Sequence, residues 1–188
     1  MTEPDRKPAE WQQLLELLAP IHDDVQLFAR RIARSNAEGD DLFQEAVLRA
    51  ACNVGALRDR SKFRAWIFGV VVSVHRSRWR ASVWRRWMPW ESGPEPVGDD
   101  GSGWADSQAS ASRAAAALAT LPAPQREAIV LFELHGYSID EVAEVQRASV
   151  SSVKSRLQRG RDRLRQFYAA AGQPISVSLT DTEEVCRG

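Results

Sequence analysis

Apolar residues recur every three or four positions along most of this chain, the period of an amphipathic helix rather than of a strand. In EWQQLLELLAP that period places Trp11, Leu14, Leu15 and Leu18 on one helical face, and Pro20 ends the run. Val25, Phe28, Ala29, Ile32 and Ala33 form the next face, after which SNAEGD interrupts the chain at Gly39. DDLFQEAVLRAACNV resumes as a helix that opens on Asp40 and Asp41, where acids suit the positive end of the helix dipole. LRDRSK then reads as a loop. FRAWIFGVVVSVHRSRWRASVWRRW is ambiguous, because Val70, Val71, Val72 and Val74 favour a strand on propensity. Its length, its flanking arginines, its lack of turn residues and the absence of any strand partner elsewhere predict a helix instead.

From Met88 to about Ser110 the pattern lapses into PWESGPEPVGDDGSGWADSQ, the Pro, Gly, Ser and Asp content of an extended linker. ASRAAAALATL restarts a helix, Pro122 and Pro124 punctuate, and QREAIVLFELHG brings Ile129, Leu131, Phe132 and Leu134 before the helix-ending Gly136. The expected fold is all-α, two small helical domains on a string with a divided core. The expected boundaries are an N-terminal segment and first helix over 1–20, a domain over 21–87, a flexible linker over 88–110, a second domain over 111–170 and a disordered tail over 171–188.

The second domain carries the sharpest local signal. In YSIDEVAEV, Ser138 followed by Glu141 is a capping box, so a helix starts there with Ile139, Val142 and Ala143 on its inner face. Only QRA separates it from Ser149, which can cap the next helix, and two short helices joined so tightly are a helix-turn-helix. Along the second helix Val150, Val153, Leu157 and Leu164 repeat at helical spacing toward the core. Ser151, Ser152, Lys154, Ser155, Arg156 and Arg159 are left pointing outward, short near the N-terminus and basic further on. Short polar residues let a helix end enter a major groove, where Arg reads guanine edges and Lys meets phosphates. A solvated basic helix in an ordinary bundle has the same charge run. The capping box, the short turn and the matching inner face together favour DNA binding.

Charge sharpens this picture through its distribution, since 25 Lys and Arg balance 25 Asp and Glu over 188 residues. Basic residues cluster near 76–86 and 147–165, acidic ones near 38–45, 91–106 and 181–184, an asymmetry that marks separate binding surfaces. Cys52 and Cys186 form no C-x-x-C pair, so no disulfide framework or zinc site is expected and a reducing cytoplasm fits. MTEPDRKPAEW has no apolar core of a secretory signal, and WIFGVVVSV is half the roughly 18 residues of a membrane span. A cytoplasmic protein without membrane insertion is expected.

HRSRWRASVWRRW interleaves Arg76, Arg78, Arg80, Arg85 and Arg86 with Trp79, Trp84 and Trp87. Aromatic rings beside phosphate-binding arginines suit unpaired nucleic-acid bases, which offer a face to stack on. Tryptophans packed as core beneath solvating arginines are the open alternative. In GDDLFQE, Asp40, Asp41 and Glu45 fit an exposed acidic helix end that meets a basic partner better than a metal site, with no histidine near in sequence. His22, His75 and His135 sit at unrelated positions. No P-loop, nucleophile elbow or metal-ligand spacing occurs, so neither catalysis nor a cofactor is expected.

Assembled, the chain resembles a bacterial RNA polymerase sigma factor of the extracytoplasmic-function (ECF) type, over about residues 22 to 168. DDLFQEAVLRA followed by FRAWIFGVVVSVHRSRWR is similar to the family's second region, and LATLPAPQREAIVLFELHGYSIDEVAEVQRASVSSVKSRLQRGRDRLR to its fourth. The fourth-region likeness is specific, since LPxxQRE, GYS and VKSRLxRGRxxLR occur in order. The resemblance implies binding to core polymerase, with the second region on the clamp helices of the largest subunit and the C-terminal domain at the flap. It makes Asp40, Asp41, Leu42, Phe43, Gln44 and Glu45 core-binding candidates. It implies that the second region captures unpaired −10 bases through Lys62, Arg64, Trp66, Ser73, Arg76, Ser77, Arg78, Trp79 and Arg80. It implies that the fourth region reads duplex −35 DNA through Ser149, Ser151, Ser152, Lys154, Ser155, Arg156 and Arg159. The linker's acids would imitate nucleic acid near the RNA exit path, and an anti-sigma protein would hold the factor inactive.

The chain departs from the family pattern at Ser73 and Ser77, where Asn and Asp are common, and at Gln146 and Arg147, where Leu and Gly are common. An arginine in the turn predicts strain or a different shape, because φ > 0 disfavours a side chain. Two other classes stand beside the sigma reading. A self-sufficient helix-turn-helix regulator would have no use for DDLFQE or the Trp/Arg helix. A sigma-mimicking adaptor that binds an anti-sigma protein would have no use for the basic face.

Overall fold

Local rules set most helix boundaries. The computed structural model describes the backbone of residues 3–87 and 105–171 and the side chains of residues 9–81 and 109–171. A first unit comprises α1 (Glu3–Leu18), α2 (His22–Ile32), α3 (Asn36–Ala51) and α4 (Phe63–Trp87). A second comprises α5 (Ala105–Ala119), α6 (Ala123–Ile129), a π-helical turn (Val130–Leu134), α7 (Ile139–Gln146) and α8 (Val150–Ala170). No strand occurs among the described residues. The valine stretch lies inside α4, where Val71, Val72 and Val74 are buried, so tertiary burial overrides β-propensity.

The start of α3 differs from expectation. The helix begins at Asn36, Ser35 caps it by accepting from the Glu38 amide at 3.1 Å, and Glu38 accepts from the Arg34 amide at 2.9 Å. Asp40 and Asp41 therefore sit in the second turn and do not open the helix. Gly39 is no breaker: a Cβ there would lie 2.4 Å from the Arg30 Cα, so glycine allows α2 and α3 to touch. Gly160 serves similarly, since its Cβ would lie 2.9 Å from Ile129 where α8 packs on α6. The second unit also begins early, for α5 starts at Ala105 and the last six residues of the expected 88–110 linker are helical. The rest of that linker, the side chains of Trp84, Arg85, Arg86 and Trp87, and the tail from 172 onward lie outside the described residues.

The expected divided core is instead continuous. One cluster of buried apolar residues runs from Leu14, Phe28 and Phe68 in the first unit to Leu131, Val145 and Leu157 in the second. Phe28 and Phe68 stack with centroids 4.9 Å apart, and second-unit rings meet them. His135 lies 5.6 Å from Phe28 and 5.3 Å from Phe68, and Tyr137 lies 5.2 Å from Phe68. Burial of each phenylalanine ring stabilises by roughly 1.5–3 kcal/mol. Gly69 lies where α4 crosses α7, and a Cβ there would be in ordinary contact with the Val145 carbonyl, 3.7 Å away. Buried Arg126 spans the seam, donating to the carbonyls of Ile32 (3.0 Å) and Ala33 (3.1 Å) at the end of α2 and to those of Ala119 and Leu121 (both 3.1 Å). A single guanidinium thus satisfies carbonyls that a helix end leaves unpaired. Burial, with Arg34 nearby, holds its pKa below the usual value.

Candidate nucleic-acid interface

The helix-turn-helix is built as expected. Ser138 and Glu141 form a complete capping box, the Glu141 carboxylate accepting from the Ser138 amide at 2.8 Å, and those bonds lower its pKa. Ser149 caps α8 by accepting from the Ser152 amide at 3.3 Å. Between them Arg147 takes the left-handed conformation, φ 48° and ψ 54°, the strained turn expected at that position. Ser151, Lys154, Ser155 and Arg159 are exposed on one side of α8, while Val153 and Leu157 are buried on the other. Val150 departs from the expected inner face: in the first turn it stands 38% exposed. Arg156 also departs, being half-buried rather than outward. Its Nη1 donates to Gln146 Oε1 at 2.6 Å, and burial followed by the charge of Arg76 depresses its pKa.

The α4 cluster is engaged with the protein itself. Arg76 donates through Nε (3.0 Å) and Nη2 (2.7 Å) to Glu127 Oε2 and through Nη1 (2.8 Å) to the Gln146 carbonyl. Arg78 donates to Glu45 Oε2 at 2.7 Å and to the Asp41 carbonyl at 3.0 Å. Arg64 lies over the Tyr137 ring, 4.8 Å from its centroid, and 3.5 Å from Asp24. Trp79 is 49% exposed, which favours the stacking alternative over core for that ring. Arg80 is exposed, and Ser77 bonds the Ser73 carbonyl at 3.0 Å. Lys62, Trp66 and exposed Ser73 line a groove of about 500 Å³ whose opposite wall is Glu144, Val145 and Arg147 of the second unit.

On α3 the helical period divides the six candidates. Asp41 and Gln44 face outward, whereas Leu42 and Phe43, 1% and 8% exposed, belong to the protein's own core and present nothing to a partner. Asp40 is held by Arg30 at 2.7 Å, which lowers its pKa, and Glu45 by Arg49 at 2.6 Å and by Arg78. Leu48, absent from the expected set, is 61% exposed one turn beyond Gln44. Glu127 escaped the sequence reading, and Gln146 was read there only as a departure in the turn. Glu127, 0% exposed, accepts from Arg76, from Gln146 Nε2 (3.3 Å) and pairs with His75 Nδ1 (2.9 Å). Gln146, 1% exposed, also donates to the Pro124 carbonyl at 3.0 Å. A charged pair set inside the apolar run QREAIVLF was the available signal for the first. No cluster of three or more metal-binding side chains occurs among the described residues, and no helix there is long and apolar enough to cross a membrane.

A helix-turn-helix thus docks on a second helical unit whose α3 turns Asp41, Gln44 and Leu48 outward. Residues 17–85 match the model of Sigma-70 region 2, and residues 112–164 that of Sigma-70, region 4. The ECF RNA polymerase sigma factor EcfG of Rhodopseudomonas palustris is 30% identical over 157 residues, covering 79% of this chain and 81% of that protein. SigM of Mycobacterium tuberculosis, another ECF factor, is 31% identical over 165 residues, covering 86% and 80%. The chain belongs to the ECF RNA polymerase sigma factors of the sigma-70 family. Among solved structures it is similar to the sigma factor RpoE in complex with the anti-sigma factor NepR from Bartonella quintana. That likeness has TM-score 0.59 and 27% identity, over 84% of this chain and 95% of that one. CnrH in complex with the cytosolic domain of CnrY shares the fold at TM-score 0.60, over 89% and 94%.

Proposed function

We propose that this chain binds core polymerase through the outward face of α3 and carries it to promoters. In this reading α8 meets the −35 element as duplex, while α4 and the turn before it take unpaired −10 bases. The carrying observation is the exposed set Ser151, Lys154, Ser155 and Arg159, held on one side of a properly capped recognition helix. The groove beside Lys62, Trp66 and Ser73, with exposed Trp79 on the same helix, supports capture of unpaired bases. Asp41, Gln44 and Leu48 are the exposed residues for the clamp helices, and the second unit, about 111–170, would meet the flap. Such a role needs no catalysis or cofactor and belongs in the cytoplasm. The anti-sigma complexes among the solved relatives support control by a partner of that class.

The test is co-purification with core polymerase followed by run-off transcription from a promoter library. Wild type is expected to associate and start transcripts at defined sites. Asp41→Lys with Gln44→Lys should lose association at unchanged helicity; Glu45 is left alone because it holds Arg78 and Arg49. Tight, sequence-specific footprinting by the isolated chain, without core, would favour a self-sufficient regulator instead.

A further inference from the structure

Residues of the α2–α3 turn, α3, α4 and the turn from α5 to α6 line a cavity of about 660 Å³, within the size range of small-molecule sites. Its walls carry four basic side chains, Arg34, His75, Arg78 and Arg126. Carboxylates already answer two of them, Glu127 meeting His75 at 2.9 Å and Glu45 meeting Arg78 at 2.7 Å. The other two have no such partner. The Arg34 side chain is exposed and makes no salt bridge among the described residues; Glu38 accepts from its backbone amide instead, at 2.9 Å. Arg126, 7% exposed, bonds only to carbonyls, and its Nε has no hydrogen-bond partner among the described residues. Carbonyl dipoles take its protons but leave its charge without a counter-ion, a costly state for a buried group.

The two cations also sense each other. Burial first and the charge of Arg34 second depress the Arg126 pKa, against a smaller pull from Glu38 and Glu127. An anion in the cavity would relieve both. Trp79, 49% exposed, supplies another wall, a flat ring on which a base can stack. Of the two acids in the lining, Glu38 is engaged at the start of α3, and exposed Asp41 is an acceptor suited to a hydroxyl. A base, a hydroxylated sugar and an anion are the parts of a nucleotide.

We propose that this cavity binds a free nucleoside monophosphate, with its base on Trp79, its phosphate at Arg34 beside the charge of Arg126, and Asp41 accepting from a ribose hydroxyl. Charge sets the number of phosphates. Two cations without carboxylate partners balance one terminal phosphate, which carries close to two negative charges at neutral pH. A triphosphate would exceed that balance with Glu38 and Asp41 already present, and the phosphodiester of a strand, with one charge, would fall short of it. Such a site lies outside the sigma reading and does not depend on it.

Calorimetric titration of the full chain with adenosine 5′-monophosphate (AMP), adenosine and ribose 5-phosphate divides the nucleotide into its base and its phosphate. AMP is expected to bind at one site and more tightly than either part. Arg34→Gln removes the cation and keeps the backbone amide that Glu38 accepts from. It should weaken AMP and ribose 5-phosphate by about tenfold, the worth of one charge-assisted hydrogen bond, and leave adenosine unchanged. Trp79→Ala should weaken AMP and adenosine by about tenfold, the loss of one base stack, and leave ribose 5-phosphate unchanged. Trp79→Phe, which keeps a ring, should restore most of the affinity, a rescue that a loss of fold would not show. Absence of saturable AMP binding overturns the site, as does an equal loss of all three ligands in both alanine and glutamine variants. If Arg34→Gln weakens an oligo(dT) strand by the same factor as AMP, the cavity takes a strand, and the assignment to a free nucleotide falls. These titrations contain neither polymerase nor promoter, so their failure leaves the run-off test of the sigma reading untouched.

Discussion

The α4 and α8 arginine clusters look alike in sequence and end in opposite states. On α8, Ser155 and Arg159 stand in solvent on a helix whose inner face is filled by its neighbours α6 and α7. On α4, Arg64, Arg76 and Arg78 are spent on a tyrosine ring and on the carboxylates of Glu127 and Glu45. The difference lies in where the partners come from. The helix-turn-helix completes itself within about thirty residues, whereas the partners of α4 arrive from α3 and from the other unit. A run of arginines therefore specifies charge but not its availability, which long-range acids decide.

The largest effect expected from this contrast is on stability. Arg76→Ala leaves the fully buried Glu127 with only His75 and Gln146, and the loss of a buried partner costs about 3–5 kcal/mol. Arg159→Ala removes an exposed cation and should change stability by no more than about 0.5 kcal/mol. It should instead lower the salt slope of duplex binding by about one unit. Urea denaturation and a two-salt binding titration separate the two. Equal stability losses would erase the contrast between the clusters.

What the sequence made legible follows the same division. The capping box at Ser138, the turn at Arg147, the end at Gly136 and the burial of Val153 and Leu157 are set by neighbours within a few positions. Gly39 was misread because a breaker and a close-contact glycine look the same from within one helix; only Arg30 on α2 tells them apart. Leu42 and Phe43 were grouped with Asp41 by proximity, although the helical period turns them inward. The docking of the units stayed hidden because its members are far apart in sequence: Arg76 with Glu127, Phe68 with His135 and Tyr137, Arg126 with Ile32. The linker composition pointed to separation and carried no signal for the surfaces it joins.

A second, smaller effect probes the apolar end of the seam. Burial pulls the His135 pKa down to about 4, with Arg31 and Arg64 opposing its charge and Asp24 favouring it. Its Nε2 has no hydrogen-bond partner among the described residues. The unfolded chain therefore takes up this proton first, so stability is full above about pH 6.5 and falls as pH drops toward about 4. His135→Phe, which continues the contacts to Phe28 and Phe68, should flatten the decline in melting temperature between pH 7 and 5. An unchanged slope would place the acid sensitivity elsewhere.

The smallest effect separates the two turns of the second unit. Gly136 and Arg147 both end helices in the left-handed region, at φ 68° and φ 48°. Glycine takes that conformation without steric penalty, whereas a side chain there costs roughly 1–2 kcal/mol. Arg147→Gly should therefore stabilise the chain, by less than about 1 kcal/mol once the greater freedom of glycine in the unfolded state is set against the strain. Gly136→Ala should do the reverse and cost about 1 kcal/mol, although no atom within 4 Å would oppose its Cβ, so conformation alone is at work. Thermal melts of the two variants against wild type give both signs. A destabilised Arg147→Gly would mean that the arginine side chain, on the wall of the groove beside Lys62 and Trp66, contributes more across the seam than its backbone loses.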